Sequence, residues 1–328
     1  MTRVLISPTT LAGIQASFVD VLKAEGFELV YHGRPGQLNE DQILETLKGI
    51  DASVAGSEPY TERVYAANPQ LKVVARVGVG YDAVDTAAAT RHGVAVTIAP
   101  NTNQGSVAEH TFAMMLALTK NIVSQHIGTR DGKWPRGTNL PLRGRTLGIA
   151  GLGRIGKAMA TRAQAFEMKV IAHDPFPAAA WAKAHGVPIV SMEQLLRESD
   201  FLTLHMPALP ETTNLINART LAMMKPTAYL INTSRGAVIH EADLYEALKA
   251  KRIAGAGLDV FAQEPPGDNP LLTLDNVVLT PHAAGVDLQS RDDMARSAAD
   301  AIISLSRGEW PAEKVVNPQV REAFRWKK

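Results

Sequence analysis

The chain has 328 residues, 45% hydrophobic and 20% charged, with a net charge of +1 and no cysteine. That apolar content supplies two full cores and excludes a disordered chain, and the near-neutral balance offers no strong field to nucleic acid or an anionic membrane. The lack of cysteine excludes disulfides, thiolate metal sites and a Cys nucleophile, and it fits a reducing cytosol. Met1–Pro8 opens into a strand-like run without the apolar stretch of a signal peptide, and no segment reaches the length of a membrane span.

The first hundred residues alternate strand and helix signals. Apolar runs predict strands over 4–7, Glu28–Tyr31, Ala52–Ala55, 71–77 and 94–99, and helical spacing predicts helices over 11–24 and 41–48. Strands alternating with helices imply a parallel sheet covered on both faces. A long apolar helix follows over 106–121, with Ser106 as N-cap and Glu109 at capping-box spacing. Residues 122–145, interrupted by Gly132, Pro135, Gly137 and Pro141, read as an extended arm. A second βα series begins at Thr146. Its strands are Thr146–Ala150, Lys169–His173, 201–205, Tyr229–Asn232, 256–258 and Val277–Leu279, with a helix over 154–166, a Ser191 cap before a short helix, and a last helix over Leu288–Ser306.

Gly151-Leu152-Gly153-Arg154-Ile155-Gly156 joins a strand to a helix, the context a dinucleotide fingerprint requires. Gly151 permits the tight turn, Gly153 lets backbone approach a pyrophosphate, and Gly156 lets the helix pack on the sheet. The helix N-terminus presents free N–H groups to the phosphates. Asp174, eighteen residues after Gly156, ends the next strand, where an acid accepts hydrogen bonds from a ribose diol and repels a 2′-phosphate. NAD is therefore the expected cofactor. Read alone, the glycines make a turn and Asp174 caps a loop; strand, glycines, helix and acid together favour the cofactor.

Arg235, Glu264 and His282 each follow a short apolar run, at the carboxyl edge where open α/β sheets bind ligands. Hydride transfer to a 2-keto acid needs a cation for the carboxylate and carbonyl, a proton donor for the developing alkoxide, and a group that keeps the donor charged. Arg235 offers a permanently charged planar fork. An imidazole titrates near neutrality, so His282 can act as acid in reduction and base in oxidation. A carboxylate at Glu264 beside it would orient the ring and favour the imidazolium. Singly, these residues read as a surface charge, a turn residue and an edge histidine; jointly, beside a fingerprint, they point to a site. Of the other histidines, His205 ends a strand and could border the cofactor, and His110 in the long helix reads as packed or interfacial. The sequence contains no metal-ligand cluster.

The chain resembles the D-isomer-specific 2-hydroxyacid dehydrogenases, most closely the D-3-phosphoglycerate dehydrogenase branch, over nearly its whole length. The resemblance rests on Ala75–Asp82 (ARVGVGYD), Ser106–His110 (SVAEH), Gly151–Gly156, Asn232–Gly236 (NTSRG), Gly257–Phe261 with Glu264-Pro265, and Thr280-Pro281-His282. It implies that Arg235 binds the substrate carboxylate and carbonyl, that His282 is the acid/base and that Glu264 is its partner. It further implies substrate contacts at Val79, Gly80 and Asn103, with Asp259 at the nicotinamide carboxamide. Arg154, Ile155 and Thr233 in the matching motifs join the cofactor contacts, as does His205 at its strand end. The implied fold is two doubly wound parallel-sheet α/β domains with a cleft between them. One is a flavodoxin-like substrate domain (1–101 plus 288–328), the other a Rossmann NAD-binding domain (102–287) with a dimerisation helix and arm. The implied protein is a cytoplasmic homodimer without nucleic-acid or membrane partners.

Three departures from the branch stand out. Gly56 replaces a frequent Arg in the loop after the third strand, and Glu58 puts an acid there, which argues against a phosphorylated substrate. With Lys328 the last residue, the regulatory C-terminal domain of some members is not expected. Asp287 stands where many members have Thr. The expectation is a small D-2-hydroxy acid/2-keto acid dehydrogenase, for hydroxypyruvate, glyoxylate or similar. A D-3-phosphoglycerate dehydrogenase is the alternative and a non-enzymatic NAD-sensing corepressor a remoter one. A formate or phosphonate dehydrogenase is the other nicotinamide reading, and the resemblance implies Gln rather than Glu at position 264 in formate dehydrogenases of this type.

Overall fold

The short Val-, Ile- and Ala-rich runs form two sheets whose paired strands all run parallel. The computed structural model describes residues 1–326. It divides into two compact units, Met1–Asn103 with the chain from Asp287 onward, and Gln104–Val286.

In the first unit the strands are β1 (Arg3–Ile6), β2 (Glu28–Tyr31), β3 (Ala52–Ala55), β4 (Val73–Arg76) and β5 (Ala95–Thr97), in the order β2-β1-β3-β4-β5. That is the flavodoxin-like order. The helices are α1 (Ser17–Ala24), α2 (Glu40–Thr46), α3 (Glu62–Ala67) and α4 (Thr86–Arg91). The two-residue strand period splits each strand between two cores. Val4, Ile6, Val73 and Ala75 face one, with α1 and the last helix; Leu5 and Val74 face the other, with Ile43, Val64 and Ala88 from α2, α3 and α4.

The second unit contains α5 (Gln104–Thr119), α6 (Ile122–Arg130), β6 (Thr146–Ala150), α7 (Arg154–Ala165), β7 (Lys169–His173), α8 (Ala179–Ala184) and α9 (Met192–Glu198). It continues with β8 (Phe201–Leu204), α10 (Ala218–Leu221), β9 (Tyr229–Asn232), α11 (Glu241–Lys249), β10 (Gly255–Leu258) and β11 (Val277–Leu279). The sheet order is β11-β10-β9-β8-β6-β7. Beyond β7 a single parallel bridge, Ala172 to Ile189, stands where a further strand would pair. With that bridge counted as the third strand, the order is the 3-2-1-4-5-6 of dinucleotide-binding sheets plus one added edge strand. The order reverses between β6 and β8, beside the glycine turn. The last helix, α12 (Leu288–Ser306), packs on α1, β3 and β4 of the first unit.

Several elements differ from the sequence expectation. Helix α1 starts at Ser17 rather than near Leu11, because Gly13 is left-handed and Ala16 is extended. Ser106 does not cap: α5 begins at Gln104, the Ser106 hydroxyl donates to Ala284 O at 2.8 Å, and Glu109 pairs with Arg162 at 2.8 Å. The first part of the expected arm is helix α6, since the chain breakers cluster only from Gly132 onward, and Pro135 folds back against Gly128. Strand β11 is half-buried, as an edge strand must be, rather than buried. Asp287 now has a physical reason: it forms a reciprocal cap with Ser290 that starts α12 (Ser290 N to Asp287 Oδ1 2.7 Å, Asp287 N to Ser290 Oγ 2.9 Å).

Candidate active site

The glycine turn lies between the ends of β7 and β8. Gly151 N donates to His173 O at 2.8 Å, and His205 N donates to Ala150 O at 2.8 Å. Gly151 has φ +96°, and a Cβ there would lie 2.7 Å from His205 O, so backbone conformation and space both demand glycine. A Cβ on Gly156 would meet Gly151 O at 2.1 Å, which is the close approach of α7 to the turn. A Cβ on Gly153 would meet no atom of the chain within 4 Å. Nothing in the protein's own packing requires glycine at 153, which suits a position kept bare for a ligand. Asp174 closes the turn: Leu152 N donates to its Oδ2 at 2.8 Å and Phe176 N to its Oδ1 at 2.8 Å. Each oxygen keeps a lone pair for a diol. The first residues of α7, Arg154 and Ile155, begin the helix from Gly153 as N-cap. These residues fit a nicotinamide dinucleotide.

Strands β9, β10 and β11 are neighbours in register, with Asn232 opposite Leu258 and Leu258 opposite Leu279. Their three following loops carry Arg235, Glu264 and His282. The His282 Nδ1 lies 2.7 Å from Glu264 Oε2. The second Glu264 oxygen accepts from Phe261 N at 3.1 Å. Burial pushes the Glu264 carboxyl up, but the His282 hydrogen bond, the Phe261 N–H and the charges of His282 and Arg235 outweigh it and hold the group below the ordinary glutamate range. An ionised carboxylate only accepts, so Nδ1 carries the proton and Nε2 is the edge left for chemistry. His282 itself has φ +53°, uncommon for a residue with a Cβ. The Arg235 loop is pressed onto the loop that follows β10, since a Cβ on Gly236 would lie 1.9 Å from the Phe261 carbonyl carbon.

Other expected residues have differing surroundings. Asp259 is 1% exposed, and its carboxylate is engaged by the chain itself. Thr233 lies 3.0 Å from the Thr111 hydroxyl, whose proton goes to Val107 O, so Thr233 is the donor. Both ring nitrogens of His205 are shut off from solvent without a hydrogen-bond partner among the described residues, and burial pushes its pKa down to about 3. It is a neutral imidazole beside the glycine turn. Val79, Gly80 and Asn103 belong to the first unit. There Arg76 Nε donates to Gly80 O at 3.0 Å and Ala99 N to Gly78 O at 2.8 Å, holding the loop after β4. Arg76 is itself buried. Glu58 is only 2% exposed, and its carboxylate lies against Gly56, where a Cβ would meet Glu58 Oε1 at 2.7 Å.

Three shaping residues escaped the sequence reading. Asn232 Nδ2 donates to Arg235 O at 2.8 Å, while its Oδ1 accepts from Ser234 N at 3.0 Å and Ser234 Oγ at 2.8 Å. An Asn ending a strand in Asn-Thr-Ser-Arg-Gly was the available signal. Glu241 accepts from Ala262 N and Asn269 Nδ2, both at 2.6 Å, and so ties down the loop carrying Glu264. Thr280 bonds the Asp259 carboxylate, and its position in Thr-Pro-His was the signal.

A doubly wound sheet with a fingerprint turn at its switch point and an acid–imidazole pair at neighbouring strand ends defines a nicotinamide-dependent oxidoreductase. The family model described as "D-isomer specific 2-hydroxyacid dehydrogenase, NAD binding domain" matches residues 112–284. A glyoxylate reductase of Korarchaeum cryptofilum is 42% identical over 304 residues, covering 90% of this chain and 91% of that one. A D-3-phosphoglycerate dehydrogenase of Synechocystis is 40% identical over 335 residues, covering 99% of this chain; the chain spans 58% of that relative's length. The apo D-lactate dehydrogenase of Escherichia coli superposes with a TM-score of 0.85 at 29% identity, covering 96% of this chain and all of that one. The chain belongs to the D-isomer specific 2-hydroxyacid dehydrogenase family. It is an NAD(P)-dependent oxidoreductase of 2-hydroxy acids.

Proposed function

We propose that the protein reduces a small, non-phosphorylated 2-keto acid, glyoxylate or hydroxypyruvate, to the D-2-hydroxy acid with NADH. The observation that carries the acid–base chemistry of this reading is the 2.7 Å contact between His282 Nδ1 and Glu264 Oε2, while Gly56 carries the preference for a non-phosphorylated substrate. The nicotinamide supplies the hydride. Arg235 holds the carboxylate and polarises the carbonyl. His282 Nε2–H gives its proton to the carbonyl oxygen as the alkoxide develops, and Glu264 stabilises the imidazolium beforehand. In oxidation neutral Nε2 takes that proton back. Asp174 holds the adenosine ribose diol and selects NAD over NADP. The fingerprint residues Gly151, Gly153, Arg154, Ile155 and Gly156, with His205, Thr233 and Asp259, complete the cofactor contacts, and Val79, Gly80 and Asn103 the substrate contacts. The domain roles are substrate binding for the first unit and cofactor binding for the second.

The protein also acts as a cytoplasmic homodimer. Exposed Ile122, Val123 and Ile127 on α6, with Trp134 78% exposed in the arm, give an apolar face that supports pairing. Among the described residues no helix is long and apolar enough to cross a membrane.

A second reading, D-3-phosphoglycerate dehydrogenase, is favoured by relatives of that name at 38–42% identity. Against it stand Gly56, which offers no cation, and the Glu58 carboxylate packed beside it. NADH oxidation with glyoxylate, hydroxypyruvate, pyruvate and 3-phosphohydroxypyruvate decides. The expected result is a higher kcat/KM for glyoxylate or hydroxypyruvate than for the phosphorylated compound; the reverse order would return the chain to the second reading.

A further inference from the structure

The loop bearing His282 is held at almost every residue by one buried group. The Asp259 carboxylate accepts from Thr280 Oγ1 at 2.5 Å and Ala283 N at 2.8 Å through Oδ1, and from Ala284 N at 2.9 Å through Oδ2. The Asp259 carbonyl accepts from His282 N at 2.8 Å. Thr280 N extends the sheet ladder to Leu258 O at 3.0 Å. Four residues around the imidazole thus depend on Asp259, and His282 is left-handed at φ +53°. A residue with a Cβ pays roughly 1–2 kcal/mol for that conformation, so the loop needs such a clamp.

A further side chain completes the clamp. His110, on α5, has Nε2 2.9 Å from Thr280 Oγ1 and 3.7 Å from Asp259 Oδ1. A hydroxyl has one proton, and that of Thr280 goes to the carboxylate. His110 must therefore be the donor in its contact with Thr280, with its proton on Nε2. The direction is fixed: His110 Nε2–H to Thr280 Oγ1, Thr280 Oγ1–H to Asp259 Oδ1. The same helix supports the far end of the loop through the Ser106 hydroxyl on Ala284 O at 2.8 Å.

We propose that Thr280 and His110 are positioning residues for the reaction, acting through Asp259 to set the place and orientation of His282. This rests on the dehydrogenase reading above. Neither residue is assigned a contact with substrate; each acts by fixing where Nε2 of His282 points. Misplacing a reacting group by an ångström costs on the order of 10²-fold in rate, with little effect on binding.

The test uses the full chain and reads kcat, keto-acid KM, NADH affinity by fluorescence, and melting temperature. Thr280→Val keeps shape and removes the donor. It should lower kcat about 10–100-fold, with keto-acid KM within about twofold of wild type and the fold intact. Thr280→Ser restores the hydroxyl and should recover most of kcat. A Thr280→Val enzyme with kcat within about twofold of wild type, or a Thr280→Ser enzyme no better than Thr280→Val, overturns the proposal. An independent reading comes from the wild-type protein by ¹⁵N–¹H correlation of the histidine rings. A proton on Nε2 of His110 supports the donor chain, and a ring protonated on Nδ1 alone overturns it. That measurement stands even if the wild-type protein reduces no keto acid, an outcome that would sink the dehydrogenase reading instead.

Discussion

Replacing Glu264 by Gln keeps an acceptor for His282 Nδ1 and removes the negative charge. The two groups are 2.7 Å apart, with side chains 48% and 37% exposed for His282 and Glu264. Charge centres about 4 Å apart interact by roughly 1 kcal/mol in water and 4 kcal/mol at an effective dielectric near 20. A half-exposed pair belongs at the lower end, about 1–2 kcal/mol, which is a factor of about 5–30. The sign follows from linkage. The His282 hydrogen bond and charge lower the Glu264 carboxyl against the opposing effect of burial, and an ionised carboxylate 2.7 Å from Nδ1 attracts a positive charge on the ring. Reduction consumes the imidazolium's proton. At the alkaline edge of the profile the variant should therefore lose about 5–30-fold more activity than at the acid end, where the ring is charged in both proteins. The falling limb moves to lower pH. Keto-acid reduction at saturating NADH, measured from pH 5 to 9 in both proteins, reads this directly. Parallel profiles for wild type and an active Glu264→Gln variant would refute the reasoning.

Asp174→Ala removes the expected diol acceptor and the charge opposing a 2′-phosphate; the ratio of NADPH to NADH affinity should rise, and fluorescence titration with both cofactors checks it. A wild-type protein binding both equally would contradict the reading of Asp174. Gly236→Ala puts a methyl group 1.9 Å from the Phe261 carbonyl carbon, where two loops meet. Overpacking of this kind costs about 1–3 kcal/mol, at roughly 2–4 °C of Tm per kcal/mol, and it should also lower kcat by shifting Arg235; an unchanged Tm and kcat would show that the loops are not locked together.

Much of this was legible along the chain because its signals are local. The Glu28–Tyr31, Ala52–Ala55 and Tyr229–Asn232 strands are short runs each followed by a polar or turn residue, His32, Gly56 and Thr233, and their ends fall where the pattern stops. Arg235, Glu264 and His282 were visible because each follows such a run. The failures share a cause. Ser-Val-Ala-Glu at 106–109 has the spacing of a capping box, yet the Ser106 partner lies 178 residues away, beyond any local pattern. The apolar spacing over 11–24 is helical only from Ser17, because a left-handed Gly13 breaks it and period alone does not record φ. The sequence shows that Glu58 is charged but not that the fold buries it. Asn232, Glu241 and Thr280 shape the site through bonds to other loops, and only the register of adjacent strands brings those loops together.

The central claim is that His282 is the proton donor in reduction, and it is most directly tested by His282→Gln. NADH affinity by fluorescence titration should stay close to wild type, since Gln leaves the glycine turn and Asp174 untouched. Saturated keto-acid reduction should fall roughly 10²–10⁴-fold, the usual loss on removing a general acid. A variant that binds NADH and turns over at a near-normal rate would contradict the account.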